Sequence, residues 1–332
     1  MASAVAWQHC STSGRPGLRF GRMSTLPQMR SLSAAVLWGG LAFSAEAQQP
    51  PCIDDELLEL RITQACAKLR ESGALVSCAT LLGQTAGKTF AMPRTAAQVQ
   101  ALEPSQVHER VQRSMRIVGH YYLCTECDEW HFAGASGFCV GKNGVVATCA
   151  HVLAADETMR EAYLVTADLE GHVWAVESVL SKDEGADVAV LKTGETNSVP
   201  LALRGSVQVG ERVYCLSNPD HQFGFFSEGL VARWFLQRDP VPEGSTPKPP
   251  DQVAPRTWLH VTCEFAKGSS GAPIVDSKGN VVGIAQSTST VVYDEDAAVA
   301  ETQMVFKIAT PAMALVALLP EPRAGDAVPT GK

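Results

Sequence analysis

The chain has 332 residues, of which 45% are hydrophobic and 19% charged, and its formal net charge is −8. These values describe a globular protein with enough apolar residues for a substantial core, and the length allows one large domain or two small ones. The acidic balance lacks the basic face that a nucleic-acid partner usually needs, so we expect no nucleic-acid partner.

Residues 1–47 have the layout of a secretory signal peptide with upstream residues. Arg30 precedes an apolar run at 32–43, and a small-x-small site follows at Ala45-Glu46-Ala47. This order predicts export and cleavage after Ala47, which places the mature protein in the periplasm or outside the cell. The apolar run is short for a membrane span, and an uncleaved anchor is the alternative that would bring the chain to a membrane.

Export changes what the cysteines predict. Ten are present, and nine of them follow residue 47. In an oxidising compartment some should form disulfides, and an odd number leaves at least one free or intermolecular. Their spacing leaves the connectivity open.

Residues 48–114 predict a small helical N-terminal segment. Apolar residues recur at helical spacing between Asp54 and Gln84, and Gly73 divides this stretch into two helices. A polar connector with some helical character follows up to Ser114. Because amphipathic helices mostly pack against a core, a structural brace is the simplest role. Covering a site, regulating access to it or mediating assembly are the alternatives.

Residues 115–319 have a different texture. About a dozen short runs rich in β-branched and aromatic residues are separated by Gly, Asn and Asp, which predicts antiparallel barrels or sandwiches. GKNG at 141–144 and SKGN at 277–280 fit tight hairpin turns. A proline-rich loop at 237–255 interrupts the strands. The run PAMALVALL predicts a closing helix, and residues 320–332 predict a disordered tail.

The segment GSSG at 268–271 has the residues that a reactive serine needs nearby. A serine hydroxyl is a weak nucleophile that requires a base and donors for the developing oxyanion. Gly268 permits an unusual backbone conformation, and its N–H with that of Ser270 can form an oxyanion hole. Gly-Ser runs are more often plain turns, so this segment by itself is weak evidence.

Two further residues are candidates for the base that a reactive serine requires and for the acid that orients the base. His151 ends a strand–turn–strand pattern and is the candidate base, and Asp187 directly precedes the apolar run at 188–191 and is the candidate orienting acid. Each is ordinary in isolation, because a histidine after a strand is usually structural and an acid at a strand edge is common.

Together, these residues resemble a known family. The blocks ATCAHV around His151, ADVAVLK around Asp187 and GSSGAP around Ser270 resemble the signatures of trypsin/chymotrypsin-like serine peptidases, in the same chain order. The segments VGERVYCLSNPDHQFGFFSEGLVA and GNVVGIAQS are closer to the bacterial HtrA/Deg-type branch. The resemblance covers about residues 116–319 and implies a mainly β fold of two antiparallel six-stranded β-barrels, with the helical segment as an addition.

The resemblance also implies the roles of the residues. Ser270 would be the nucleophile and His151 the general base and then acid, while Asp187 would hold the imidazole tautomer. The N–H groups of Gly268 and Ser270 would bind the oxyanion, without any cofactor. The implied activity is an exported endopeptidase of the bacterial cell envelope that cleaves polypeptides. A catalytically silent peptidase-fold protein that binds polypeptides or a partner, and an ester hydrolase, are the alternatives.

Several positions depart from the family pattern or add to it. Ala272 replaces a usual glycine, and Ser269 replaces the aspartate with which trypsin-type zymogens capture a new N-terminus. We expect no PDZ domain after Leu319. Glu264 lies at the implied floor of the substrate pocket and, with the acidic run 294–296, would favour a basic side chain. The alternative is that these acids are solvated.

One further pattern offers metal ligands. His120, Cys124, Cys127 and His131 form a His-x3-Cys-x2-Cys-x3-His series, and such separations can bind zinc. Export favours a disulfide or free thiols instead, so the sequence prediction is no metal.

Overall fold

The computed structural model describes residues 52–84, 89–238, 249, 253–293 and 302–322. The predicted signal segment 1–47, most of the proline-rich loop, the acidic run 294–296 and the end of the predicted tail lie outside the described residues. Among the helices in the described ranges, none combines the length and apolar character needed to cross a bilayer.

Within the described ranges, four α-helices accompany the strands. They are α1 Asp55–Glu71, α2 Cys78–Gly83, α3 Pro104–Ser114 and α4 Met313–Leu318. The carboxylate of Asp54 caps α1 by accepting a hydrogen bond from the N–H of Leu57, and the helix ends just before Gly73, which has a positive φ of 71°. This helix therefore begins and ends where a polar cap and glycine predict.

The first barrel contains six antiparallel strands. They are β1 Met115–Cys124, β2 Trp130–Gly141, β3 Val145–Thr148, β4 Met159–Ala167, β5 Val173–Asp183 and β6 Val188–Thr193. They close in the order β1-β2-β3-β6-β5-β4. The turn between β2 and β3 places Asn143 and Gly144 at positive φ, as the GKNG segment predicts for a tight hairpin.

The second barrel also contains six antiparallel strands. They are β7 Arg212–Ser217, β8 Phe225–Gln237, β9 Arg256–Val261, β10 Pro273–Asp276, β11 Val281–Val292 and β12 Thr302–Pro311. They close in the order β10-β11-β12-β9-β8-β7. The predicted mainly β fold of two six-stranded antiparallel barrels is therefore confirmed.

The helical segment packs against the first barrel. Leu58, Ile62 and Cys66 lie one helical turn apart on α1 and are buried with Tyr121 and Phe132 of β1 and β2. Burying each large aliphatic side chain contributes roughly 1.5–3 kcal/mol. This face of α1 therefore acts as a brace, which is the simplest role that its amphipathic pattern predicts.

The cysteines are mostly buried thiols. Among the described residues, no disulfide joins the eight cysteines from Cys66 to Cys263, so the disulfide prediction stays without support. Burial raises the pKa of Cys66, Cys78 and Cys139 to about 12. These thiols behave as small apolar groups of the core.

Candidate active site

The first residue of the candidate site follows β3. A one-turn 3-10 helix, Ala150–Leu153, begins directly after that strand and presents His151. The backbone N–H of His151 donates to Asp187 Oδ1 at 2.9 Å, and its ring Nδ1 lies 2.7 Å from Asp187 Oδ2. Two bonds to one carboxylate fix both the position and the ring orientation of the histidine.

Asp187 lies in the turn before β6 and has a left-handed backbone conformation, with φ of 55°. Such a conformation costs a non-glycine residue on the order of 1–3 kcal/mol and persists only where the surroundings impose it. Here the carboxylate accepts bonds from His151 and a third, of 3.0 Å, from Nε2 of Gln286 on β11. These bonds hold the carboxylate toward the imidazole.

Ser270 completes a hydrogen-bonded chain across the two barrels. It lies in the turn before β10, and its Oγ is 2.9 Å from Nε2 of His151. The carbonyl of Gln286 is a more distant acceptor for the same hydroxyl, at 3.3 Å. With Nδ1–H bonded to Asp187, Nε2 is the free basic nitrogen and can take the proton of Ser270.

The two predicted oxyanion donors face no acceptor. The carbonyl of Lys267 accepts a 2.7 Å bond from the N–H of Asp220, and all described peptide bonds are trans. The N–H of Gly268, on the same peptide unit, therefore points to the opposite side. Neither this N–H nor that of Ser270 has a hydrogen-bond partner among the described residues. Unpaired backbone N–H groups beside the nucleophile are what an oxyanion hole requires.

Both glycines of GSSG are required by close backbone contacts. Gly268 and Gly271 have φ values of 89° and 90°. A Cβ at Gly268 would lie 2.5 Å from the carbonyl oxygen of Asn218, and one at Gly271 would lie 2.1 Å from that of Ser136. A side chain at Gly271 would push the turn away from the first barrel, and one at Gly268 would push it away from the loop after β7, so either would displace Ser270.

Two network residues were not singled out in the sequence. Ser136 of β2 donates through Oγ to the carbonyl of Gly268 at 3.0 Å and accepts from the N–H of Asn218 at 3.1 Å. Its own N–H donates to the carbonyl of Ser270 at 2.9 Å. Gln286 lies in the GNVVGIAQS segment, but the sequence pattern gives it no role in the site. No local pattern identifies Ser136, because its partners come from the other barrel.

Comparison with known proteins agrees with this arrangement. A family model described as a trypsin-like peptidase domain matches residues 135–284, which contain all three residues of the hydrogen-bonded chain. Over this span the chain is similar to trypsin-like peptidases, and its relatives include HtrA- and Deg-type proteases. The matched span begins at β2 and ends in β11, so it includes strands of both barrels that build the site.

Several curated proteins are similar to this chain over part of its length. Serine endoprotease DegS of Haemophilus influenzae is 26% identical over 152 residues, which are 46% of this chain and 40% of that protein. The chloroplastic Protease Do-like 1 of Arabidopsis thaliana is 26% identical over 169 residues, 49% of this chain and 34% of that protein. Anti-sigma-I factor RsgI9 of Acetivibrio thermocellus is 28% identical over 192 residues, 56% of this chain and 24% of that protein.

The match spans between a quarter and two-fifths of the length of these relatives. Among solved structures, an HtrA-type protease AlgW with a tripeptide aligns with a TM-score of 0.47 at 16% identity, covering 65% of this chain and 62% of that one.

The loop after β7 contacts both α1 and the turn that contains the GSSG segment at 268–271. Asp55 of α1 accepts from the N–H of Phe223 at 3.0 Å, and Glu59 lies 3.2 Å from Nδ1 of His221. In the same loop, the N–H of Asp220 holds the carbonyl of Lys267, next to Gly268. Through these contacts α1 supports the loop that holds the carbonyl of Lys267.

The His221–Glu59 contact is expected to depend on pH. The hydrogen bond to Glu59 raises the pKa of His221 above its usual 6.5; Asp220 raises it further, and burial and Lys267 oppose the shift. The pair therefore stabilises the fold fully below pH 6.5, and this contribution is lost as pH rises through the raised pKa.

The difference in unfolding free energy between wild type and Glu59→Gln should thus shrink from pH 6 to pH 9. Urea unfolding at several pH values measures it. Glu56→Gln, an exposed change on the same helix, should give a difference that is constant over this range. A constant difference for Glu59→Gln would contradict the pairing.

Proposed function

We propose that this chain is an exported serine endopeptidase that hydrolyses polypeptides through an acyl-enzyme. The observation that carries the proposal is the hydrogen-bonded chain from Asp187 through His151 to Ser270, beside two unpaired backbone N–H groups. Export rests on the pattern of residues 30–47, which predicts a cleaved signal peptide. The substrate class rests on the peptidase family and on the protease names of its relatives.

The geometry suggests the following sequence of steps. Ser270 Oγ attacks the scissile carbonyl while Nε2 of His151 takes the hydroxyl proton. Asp187 keeps Nδ1 protonated and stabilises the imidazolium. The N–H groups of Gly268 and Ser270 bind the tetrahedral oxyanion, and each such donor is worth about 10²–10³ in kcat. His151 then protonates the leaving amine, and water hydrolyses the ester by the same route.

Three assays on the purified protein separate this function from its alternatives. We expect a fluorophosphonate probe to label Ser270 and unfolded casein to be cleaved. Folded protein that is neither labelled nor active would favour a silent protein that binds polypeptides or a partner. Turnover of small esters without cleavage of casein would favour an ester hydrolase. The name of RsgI9, an anti-sigma factor, keeps the binding alternative worth testing.

The candidate pocket residue Glu264 is paired with a cation. Its Oε2 lies 2.8 Å from Nζ of Lys307 on β12, and this ammonium also donates to the carbonyl of Phe265 at 2.6 Å. Lys307 is buried, whereas the side chain of Glu264 is 68% exposed. The pair neutralises the charge that would attract a basic substrate side chain, so we propose a pocket without a strong preference for arginine or lysine.

Removing that cation should create the preference. Lys307→Met leaves Glu264 unpaired, and we expect the ratio of kcat/KM for arginine over leucine peptides to rise about tenfold, or roughly 1.4 kcal/mol. The exposure of Glu264 keeps the effect well below that of a buried charge. The double change Lys307→Met/Glu264→Gln should restore the original ratio. A wild-type enzyme that already cleaves almost exclusively after basic residues would contradict this assignment.

A further inference from the structure

We propose that Cys124, Cys127 and His131 form a zinc-binding site at the hairpin between β1 and β2. The sulfur atoms of the two cysteines and a ring nitrogen of the histidine all lie within 4.8 Å of one another. Nε2 of His131 is 3.0 Å from Sγ of Cys127. Two thiolates and one imidazole are a ligand set that suits zinc.

The hairpin itself is shaped around the first sulfur. β1 ends at Cys124, and the turn passes through Asp128 at a positive φ of 60° before β2 begins. The backbone N–H of Glu126 donates to Sγ of Cys124 at 3.4 Å. Hydrogen bonds of this kind support and orient metal-ligating groups.

A bound metal ion would engage more of the three side chains than a disulfide would. A Cys124–Cys127 bond would use two of the three groups and would leave the imidazole of His131 out of the bond. A divalent cation is balanced by two thiolates and engages all three. Cys127 and His131 are half-buried, so an ion can enter, and a fourth position remains for water. His120, the fourth residue of the sequence pattern, is not part of this cluster.

The site lies away from the candidate catalytic residues. Ser136 contacts the GSSG turn and is the strand partner of Ile117 on β1. Ile117 lies seven residues before Cys124 on the same strand. At about 3.3 Å per residue, that is roughly 20 Å along the strand. Zinc would therefore clamp the far end of the hairpin, and its removal should leave the chemistry at Ser270 in place.

Cobalt titration of reduced, tag-free, chelator-treated protein tests the proposal. We expect one Co²⁺ per chain, with a thiolate-to-cobalt charge-transfer band and the intense visible bands of tetrahedral coordination, and displacement by Zn²⁺. Cys127→Ser should abolish the charge-transfer band of the pair, and His131→Gln should weaken Co²⁺ binding at least about tenfold. Cys52→Ser, an exposed cysteine outside the cluster, is the matched control and should bind as wild type does.

Circular dichroism establishes that each variant is folded, and thermal unfolding gives a second readout. Zinc should raise the Tm of wild type and of Cys52→Ser but not that of Cys127→Ser. Folded, fully reduced wild type that shows no charge-transfer band would overturn the proposal. Equal Co²⁺ affinity in wild type and His131→Gln would overturn the assignment of His131.

Discussion

Replacing Ser270 with alanine is expected to lower kcat for a peptide substrate by on the order of 10⁶ and to abolish labelling by a fluorophosphonate. The loss is large because, within the described part of the chain, Ser270 supplies the hydroxyl that contacts Nε2 of His151 and no second hydroxyl does. His151→Ala should cost about as much, since the nucleophile and its base act as one unit. Asp187→Asn should cost about 10⁴, through the wrong imidazole tautomer.

The neighbouring serine is the matched control. Ser269 is fully buried, and its Oγ donates to Oγ of Ser217 at 3.1 Å, away from His151. Ser269→Ala should cost about 0.5–1.5 kcal/mol of stability through that lost bond but should still be labelled. Circular dichroism of both variants excludes misfolding as the cause. If Ser270→Ala is labelled and folded Ser269→Ala is not, the nucleophile has been assigned to the wrong serine.

Breaking the buried ion pair of the first barrel should have the largest effect on stability. The carboxylate of Glu195 accepts one hydrogen bond from Nε of Arg116, at 2.9 Å, and another from Nη2 of the same guanidinium. Both side chains are about 5% exposed. Arg116 also donates to the carbonyl of Met115 and stacks over Trp174. Glu195→Ala should lower the free energy of unfolding by about 3–5 kcal/mol, because the guanidinium stays buried and unpaired.

Urea denaturation with a comparison of m-values measures this loss. The double change Arg116→Met/Glu195→Leu should recover most of it, because two apolar side chains leave no uncompensated charge. Glu177→Gln breaks the partly exposed pair with Lys192 and should cost only about 0–1 kcal/mol. A loss for Glu195→Ala as small as that for Glu177→Gln would show that the buried pair is not a major support.

The strands were predictable because their local chemistry is unambiguous. Short β-branched runs between turn residues indicate strands without any knowledge of their partners, and GKNG encodes a turn with two positive φ values. The choice between barrels and sandwiches was not predictable in this way. It depends on which strands pair across the chain, such as β3 with β6, and only the family resemblance supplied it.

The candidate site was predictable in its residues but not in its supports. His151, Asp187 and Ser270 each stand in a recognisable block, and chain order links the blocks to one another. Gln286 lies in the GNVVGIAQS segment without an assigned role, and Ser136 lies in none of these blocks. The roles of both follow from contacts with residues 99 and 132 positions away. The domain limits and the export signal stay predictions.

The sequence by itself determined the strands, the turns and the three blocks, because these depend on interactions between residues close in the chain. Only the tertiary structure decided that Glu264 meets Lys307, that α1 supports the loop behind Gly268 and that three ligating atoms converge at the first hairpin. Each of these depends on distances between side chains, which barrel closure sets and which no spacing of residues specifies.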